Sequence, residues 1–139
     1  MSDLKTVLSQ LQKAYTPGDL ALALAQMSAD VVWDISGPSD VPYTGMFYGR
    51  PGFTRFWWLL NETVSFHSAG LQTIVFGEDV AVGLGGKCGV VKATGQPYHY
   101  DWAVEYRFGP DGLISLMRQY FSADRLQAAS RSMPEVPRR

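Results

Sequence analysis

Asp34 is the residue of this 139-residue chain whose type and surroundings first suggest chemistry. It follows Val31, Val32 and Trp33, and a carboxylate withdrawn from water there would be suited to taking or giving a proton. A plainer reading is open too, in which Asp34 ends a strand and accepts hydrogen bonds from the Ser36-Gly37 turn. Further along, Tyr98, Tyr100, Trp102, Val104, Tyr106 and Phe108 alternate with His99, Asp101, Glu105 and Arg107. An apolar face made of rings can wall a pocket for a flat apolar ligand or simply pack as core. Asp101, beside His99, is a weaker acid–base candidate, because it reaches that face only through a change of register. The two histidines, His67 and His99, lack partners at metal-ligand spacing, so no metal is expected. Neither a Gly-x-Ser-x-Gly elbow nor a Cys/His nucleophile context is present, and Cys88 reads as an inert thiol. What remains is cofactor-free acid–base work by one carboxylate: isomerisation, aldol-type cyclisation, dehydration or epoxide hydrolysis.

The elements that must position these groups follow from periodicity. Leu4, Val7, Leu8, Leu11 and Tyr15 fall at helical spacing, and Pro17-Gly18 stops that helix. Asp19 caps a second helix whose stripe is Leu20, Leu24 and Met27. Val31 to Ile35 read as a short strand, and the segment from Pro38 to Gly49 as a loop. Pro51 suits the first turn of a third helix carrying Phe53, Phe56, Trp57 and Leu60. From Val64 onward the pattern is strand, including a glycine-rich strand from Val80 to Thr94 and a hairpin turning at Gly109-Pro110-Asp111-Gly112. A helical turn is expected over Ala123 to Ala129. This order predicts an α+β fold with helices gathered on one face of a curved antiparallel sheet.

Length allows one domain, expected over residues 1–129, with a flexible tail over residues 130–139. Twelve basic and thirteen acidic side chains are scattered without runs, for a net charge of −1. That balance offers no footprint for nucleic acid or an anionic membrane and favours a small or neutral partner. No leader-like or membrane-length apolar segment is read, so a cytoplasmic protein is expected.

Short motifs add a resemblance. Gly18-Asp19-Leu20, Ala29-Asp30-Val31-Val32-Trp33-Asp34, Tyr43-Thr44-Gly45, Tyr48-Gly49-Arg50, Asp111-Gly112-Leu113-Ile114 and Arg118-Gln119-Tyr120 together resemble the SnoaL-like, ketosteroid isomerase-like branch of the nuclear transport factor two-like superfamily. The resemblance spans about residues 4 to 126 in element order. It implies a cone-shaped curved sheet wrapped around three helices, a pocket inside the cone, and homodimers formed through the outer sheet face. It likens Asp34 to the catalytic base of ketosteroid isomerases and points Met117, Gln119 and Phe121 inward beside Tyr100 and Trp102. Val104 and Leu11 stand where those enzymes carry an Asp and a Tyr that donate to the enolate, which counts against steroid isomerisation itself.

The resulting expectation is a cone that binds a small hydrophobic, carbonyl-bearing molecule, with Asp34 as base in an isomerase or cyclase. Tyr43, Phe47 and Tyr48 would cover the mouth, Phe56 or Trp57 would line the interior, and Trp58 would be peripheral. Two alternatives stay open: a non-catalytic binding or dimerisation module in which Asp34 is structural, and an epoxide hydrolase-like site using Arg118 and Asp101. For a dimer, His99, Asp101, Glu105 and Ile114 would supply a mixed outer surface.

Overall fold

The computed structural model describes residues 4–15 and 18–131, without the side chains of residues 66–69. Helix α1 (Leu4–Tyr15) buries Val7, Leu8, Leu11 and Ala14, the stripe expected of an amphipathic helix. Gly18 takes φ +74°, the left-handed conformation foreseen for it, while Pro17 lies outside the described residues. Asp19 then caps α2 (Leu20–Ala25): the Leu22 N–H donates to Asp19 Oδ1 at 3.0 Å. Met27, assigned by spacing to this helix, instead opens strand β1 (Met27–Ser36). A second strand, β2 (Gly45–Tyr48), forms inside the segment expected to be loop. Helix α3 (Gly49–Thr63) buries Phe53, Phe56, Trp57 and Leu60 as anticipated, and leaves Trp58 exposed at its periphery.

Strands β3 (Val64–Phe76), β4 (Val80–Val91), β5 (Pro97–Phe108) and β6 (Ile114–Phe121) follow, and α4 (Asp124–Arg131) ends the described chain. Helix α4 therefore reaches Arg131, into the segment assigned to the tail; residues 132–139 lie outside the described part. The six strands form one curled half-barrel sheet in the order β2-β1-β6-β5-β4-β3. It is not wholly antiparallel: β1 runs parallel to β6, with Asp34 opposite Arg118, while every other pair is antiparallel. Alternation alone cannot reveal which strand a given strand will sit beside, so this pairing was invisible in the local pattern. No helix among the described residues is long and apolar enough to cross a membrane.

Rings dominate the concave side. Trp33 meets Phe53 and Phe56 edge-on, Phe47 packs on Phe56, and Tyr43 and Tyr100 both pack on Phe121. Each such pair is worth about 0.5–1.5 kcal/mol beyond the area it buries. Ile114 is fully buried here and contributes nothing to the outer face.

The β4 glycines make the curvature compatible with these rings. A Cβ built on Gly85 would collide with the Gly70 carbonyl oxygen and the Trp102 ring, and one on Gly83 would meet Leu71 Cδ1 and approach Tyr106. Gly85→Ala should lower the unfolding free energy by about 1–3 kcal/mol, the usual cost of overpacking, in urea melts of the purified protein. Gly70→Ala has open space for its Cβ, and should cost less than half as much.

Candidate functional site

Side chains from helices and strands converge on a cavity of about 40 Å³ at the centre of the cone. Helix α1 contributes Gln12 and Tyr15, β1 Trp33, α3 Phe56, β3 Gly70, β4 Lys87, β5 Trp102, Val104 and Tyr106, and β6 Gln119. The space is far short of the roughly 300 Å³ typical of drug-sized ligands.

Strand parity decides who takes part. Along β1, Val31, Trp33 and Ile35 are buried and point inward, so Asp34 points out. On the convex face Arg118 Nε donates to Asp34 Oδ2 at 3.3 Å, and Arg118 Nη1 lies 3.7 Å from Glu105. The hydrogen bond to Asp34 is the main cause of an upward shift in the Arg118 pKa. The expectation that Asp34 opens into the cone is thus corrected: the large ring of Trp33 takes the inward position, and its neighbour must face the other way. Asp101 is also exposed and outward-facing, and no carboxylate lines the cavity among the described residues.

Of the residues expected to touch a ligand, Phe56, Trp102 and Gln119 line the cavity. Tyr43, Tyr100, Met117 and Trp57 are buried close by but serve as packing. The Tyr43 and Tyr100 hydroxyls share a hydrogen bond at 3.1 Å, and Trp57 stacks on Tyr15. Phe47 belongs to the ring cluster rather than to a movable cover. Tyr48 is 64% exposed, because β2 turns it away from the cone. Phe121 caps the Tyr43–Tyr100 pair.

Sequence reasoning passed over Gln12, Tyr15, Trp33, Lys87 and Tyr106 as site residues. Lys87 matters most. The inward positions of β4 are Ala81, Gly83, Gly85, Lys87, Gly89 and Val91, and parity with those small and apolar residues was the signal that could have found it. Part of the side chain still reaches solvent, but the ammonium is enclosed, 5.8 Å from the Tyr100 ring centre and 6.0 Å from that of Tyr43. Burial lowers its pKa to about 7. Burial also raises the phenol pKa values of Tyr15, Tyr43, Tyr100 and Tyr106, in the last case against a hydrogen bond with Gln12, so all four stay neutral near pH 7.

Trp33 supplies the other unusual group. Its indole N–H is buried and has no hydrogen-bond partner among the described residues. Leaving such a donor unsatisfied costs about 1–3 kcal/mol, and the residue borders the cavity together with the Gln119 amide. An acceptor atom placed in the cavity would relieve that cost. No group of three or more potential metal ligands occurs among the described residues.

The family model described as a SnoaL-like domain matches residues 8–117. None of the curated proteins compared matches the chain. Among solved structures, a nuclear transport factor 2-like protein of unknown function from Burkholderia pseudomallei superposes with a TM-score of 0.85 at 17% identity, covering 95% of this chain and 100% of that one. A nuclear transport factor 2-like protein from Burkholderia xenovorans gives 0.79 at 21% identity, covering 91% and 94%. A protein of ketosteroid isomerase-like fold from Catenulispora acidiphila, in complex with trimethylamine, gives 0.76 at 14% identity, covering 98% and 100%. At these identities the likeness is one of fold.

Lys87 makes stability depend on pH in a stated direction. Its native pKa near 7 lies below the roughly 10.4 of a solvated lysine, so between those values the unfolded chain holds the extra proton. Stability therefore climbs from pH 7 to about pH 10, where deprotonation of unfolded tyrosines begins to oppose it. The gain over that window should be on the order of 2–4 kcal/mol and should vanish in Lys87→Met, which should be the more stable protein at pH 7. Thermal melts of both proteins across pH 6–10 measure this directly.

Proposed function

This chain belongs to the SnoaL-like domain family, and within it we propose that the cone binds a small hydrophobic molecule through a carbonyl oxygen and prepares it for cofactor-free acid–base chemistry of the isomerase or cyclase kind. The observation that carries this reading is the buried, unpartnered Trp33 indole N–H beside the Gln119 amide. Two donor-bearing side chains bordering one small space suit a carbonyl oxygen, and hydrogen bonds to it withdraw electron density from the carbon. Phe56, Trp102 and Val104 supply the apolar walls. That the Catenulispora acidiphila neighbour is in complex with trimethylamine supports ligands of only a few atoms. Asp34, on the outer face with Arg118, has a structural part in this reading.

Cyclopentanone and cyclopentane are matched probes. Titration with cyclopentanone should move the Trp33 indole N–H resonance downfield in proton–nitrogen spectra, and cyclopentane should leave it in place. Asp34→Asn should respond like the parent protein, whereas Gln119→Leu should bind several-fold more weakly, as expected for a lost hydrogen bond of about 1 kcal/mol. An indole resonance indifferent to saturating cyclopentanone would sink the reading.

The outer face supports a second reading, of a partner. Leu84, Ala103 and Tyr120 lie in register across β4, β5 and β6, next to a row of Val82, Glu105, Arg118, Asp34 and Met46. Leu84, Tyr120, Val82 and Met46 are all more than 40% exposed, an apolar stripe beside paired charges that suits a second copy of this chain. Sedimentation should show a dimer for the parent protein and a monomer for Leu84→Arg; equal masses would refute it.

A further inference from the structure

Between α1 and β3 runs an open groove of about 760 Å³, walled by Leu8, Leu71, Ile74 and Phe76. Gln12 and Gly70 line both this groove and the central cavity, so the two spaces are neighbours. The groove surface is mainly apolar, with Lys5, Ser9 and Lys13 of α1 also lining it, whereas the cavity beside it is small and bordered by Gln12, Lys87 and Gln119. That division matches a molecule with a narrow polar head and an apolar chain.

Lys87 stands at the head position. The bare inner positions Gly83 and Gly85 precede it on β4, and its ammonium is held over the Tyr43 and Tyr100 rings. A cavity of 40 Å³ leaves a bound carbonyl carbon no place remote from the groups that line it, Lys87 among them. Resting on the carbonyl-binding reading above, we infer that Lys87 is a nucleophilic amine that condenses with an unbranched apolar aldehyde or ketone whose chain lies in the α1–β3 groove.

The chemistry balances without a co-reactant. The Nζ lone pair bonds to the carbonyl carbon while the C=O π pair moves to oxygen, which takes up one of the two protons on nitrogen. The carbinolamine then expels that oxygen as water as nitrogen gives up its proton, leaving a C=N bond and one water per imine. Only the neutral amine attacks. A solvated lysine is neutral to well under about one part in a thousand at pH 7, whereas burial leaves about half of Lys87 in that form. Among the described residues, the titratable groups around it are the phenols of Tyr43 and Tyr100 beneath, of Tyr98 next to Tyr100, and of Tyr15 and Tyr106 around the cavity, all kept neutral by burial.

Octanal with sodium cyanoborohydride traps an imine as a stable alkyl-lysine that peptide mass spectrometry can locate. The adduct should form at Lys87 at least ten-fold faster than at Lys5, Lys13 or Lys92, with a rate rising between pH 6 and 8, and Lys87→Met should retain only the slow background. Ile74→Trp, which fills the groove, should slow octanal several-fold while sparing acetaldehyde. Modification of Lys87 no faster than that of the other three lysines overturns the amine's role. An Ile74→Trp rate equal to the parent's for octanal overturns the chain's place in the groove. The cyclopentanone response of Trp33 in Lys87→Met separates the two levels. If it persists while trapping fails, the imine is wrong and the carbonyl site stands. If it is lost in the parent protein too, both fall.

Discussion

The pleat of β1 fixes where this molecule can do chemistry. Trp33 is 2% exposed and wedged against Phe53 and Phe56, and with it go Val31 and Ile35 on the same side. Slipping the strand by one residue to bring Asp34 inward would expose all three and bury a carboxylate among rings. Burying each of those side chains contributes on the order of 1.5–3 kcal/mol, so the sum is comparable with the whole stability of a small domain. A carboxylate has no way to compete. Asp34 is therefore held on the convex face, where Arg118, directly opposite it on β6, supplies a partner.

The same constraint, applied to every strand, explains why the cone is nearly full. Inward positions on β1, β5 and β6 carry Trp33, Tyr98, Tyr100, Trp102, Tyr106 and Met117, and α3 adds Phe53, Phe56 and Trp57. Strand β4 presents small residues inward, and there a Cβ on Gly85 or Gly83 would strike Trp102 or Leu71. The volume released by the glycines is taken up by the rings opposite. What remains open is the place where ring packing stops and polar ends begin, marked by Gln12, Gln119, Lys87 and the Trp33 N–H.

Much of this was legible in the sequence because it rests on local rules. The β5–β6 hairpin, the inward set Tyr100, Trp102 and Val104 on β5, and the Asp19 cap follow from alternation and turn chemistry, while the inward set Met117, Gln119 and Phe121 on β6 came from the family resemblance. Three features did not. Met27 fits a helical stripe equally well as a strand start, and only its pairing with Ile114 decides for the strand. The parallel pairing of β1 with β6 joins positions far apart in the chain, which no local period encodes. Asp34 was given the inward side by analogy with other members of the fold, while the run Val31, Trp33, Ile35 already spelled out the opposite parity. Lys87 was missed for the converse reason: lysine in a glycine-rich strand reads as a solvated residue unless its neighbours two apart are counted.

Exchanging a carboxylate for an amine inside the cone changes what kind of chemistry the fold can support. A carboxylate in an apolar site needs donors to stay charged, and no carboxylate lines the cavity among the described residues. An amine in the same site resolves its burial by losing its proton, and the neutral form it then takes is the reactive one. The surrounding phenols cannot restore the charge, because burial keeps them protonated as well. Among the described residues, desolvation thus acts in one direction around the cavity: it strips charge from Lys87 and withholds it from the tyrosines. Around the cavity the described residues carry little charge and include N–H donors, a place suited to a polar but uncharged head group, which is what a carbonyl is.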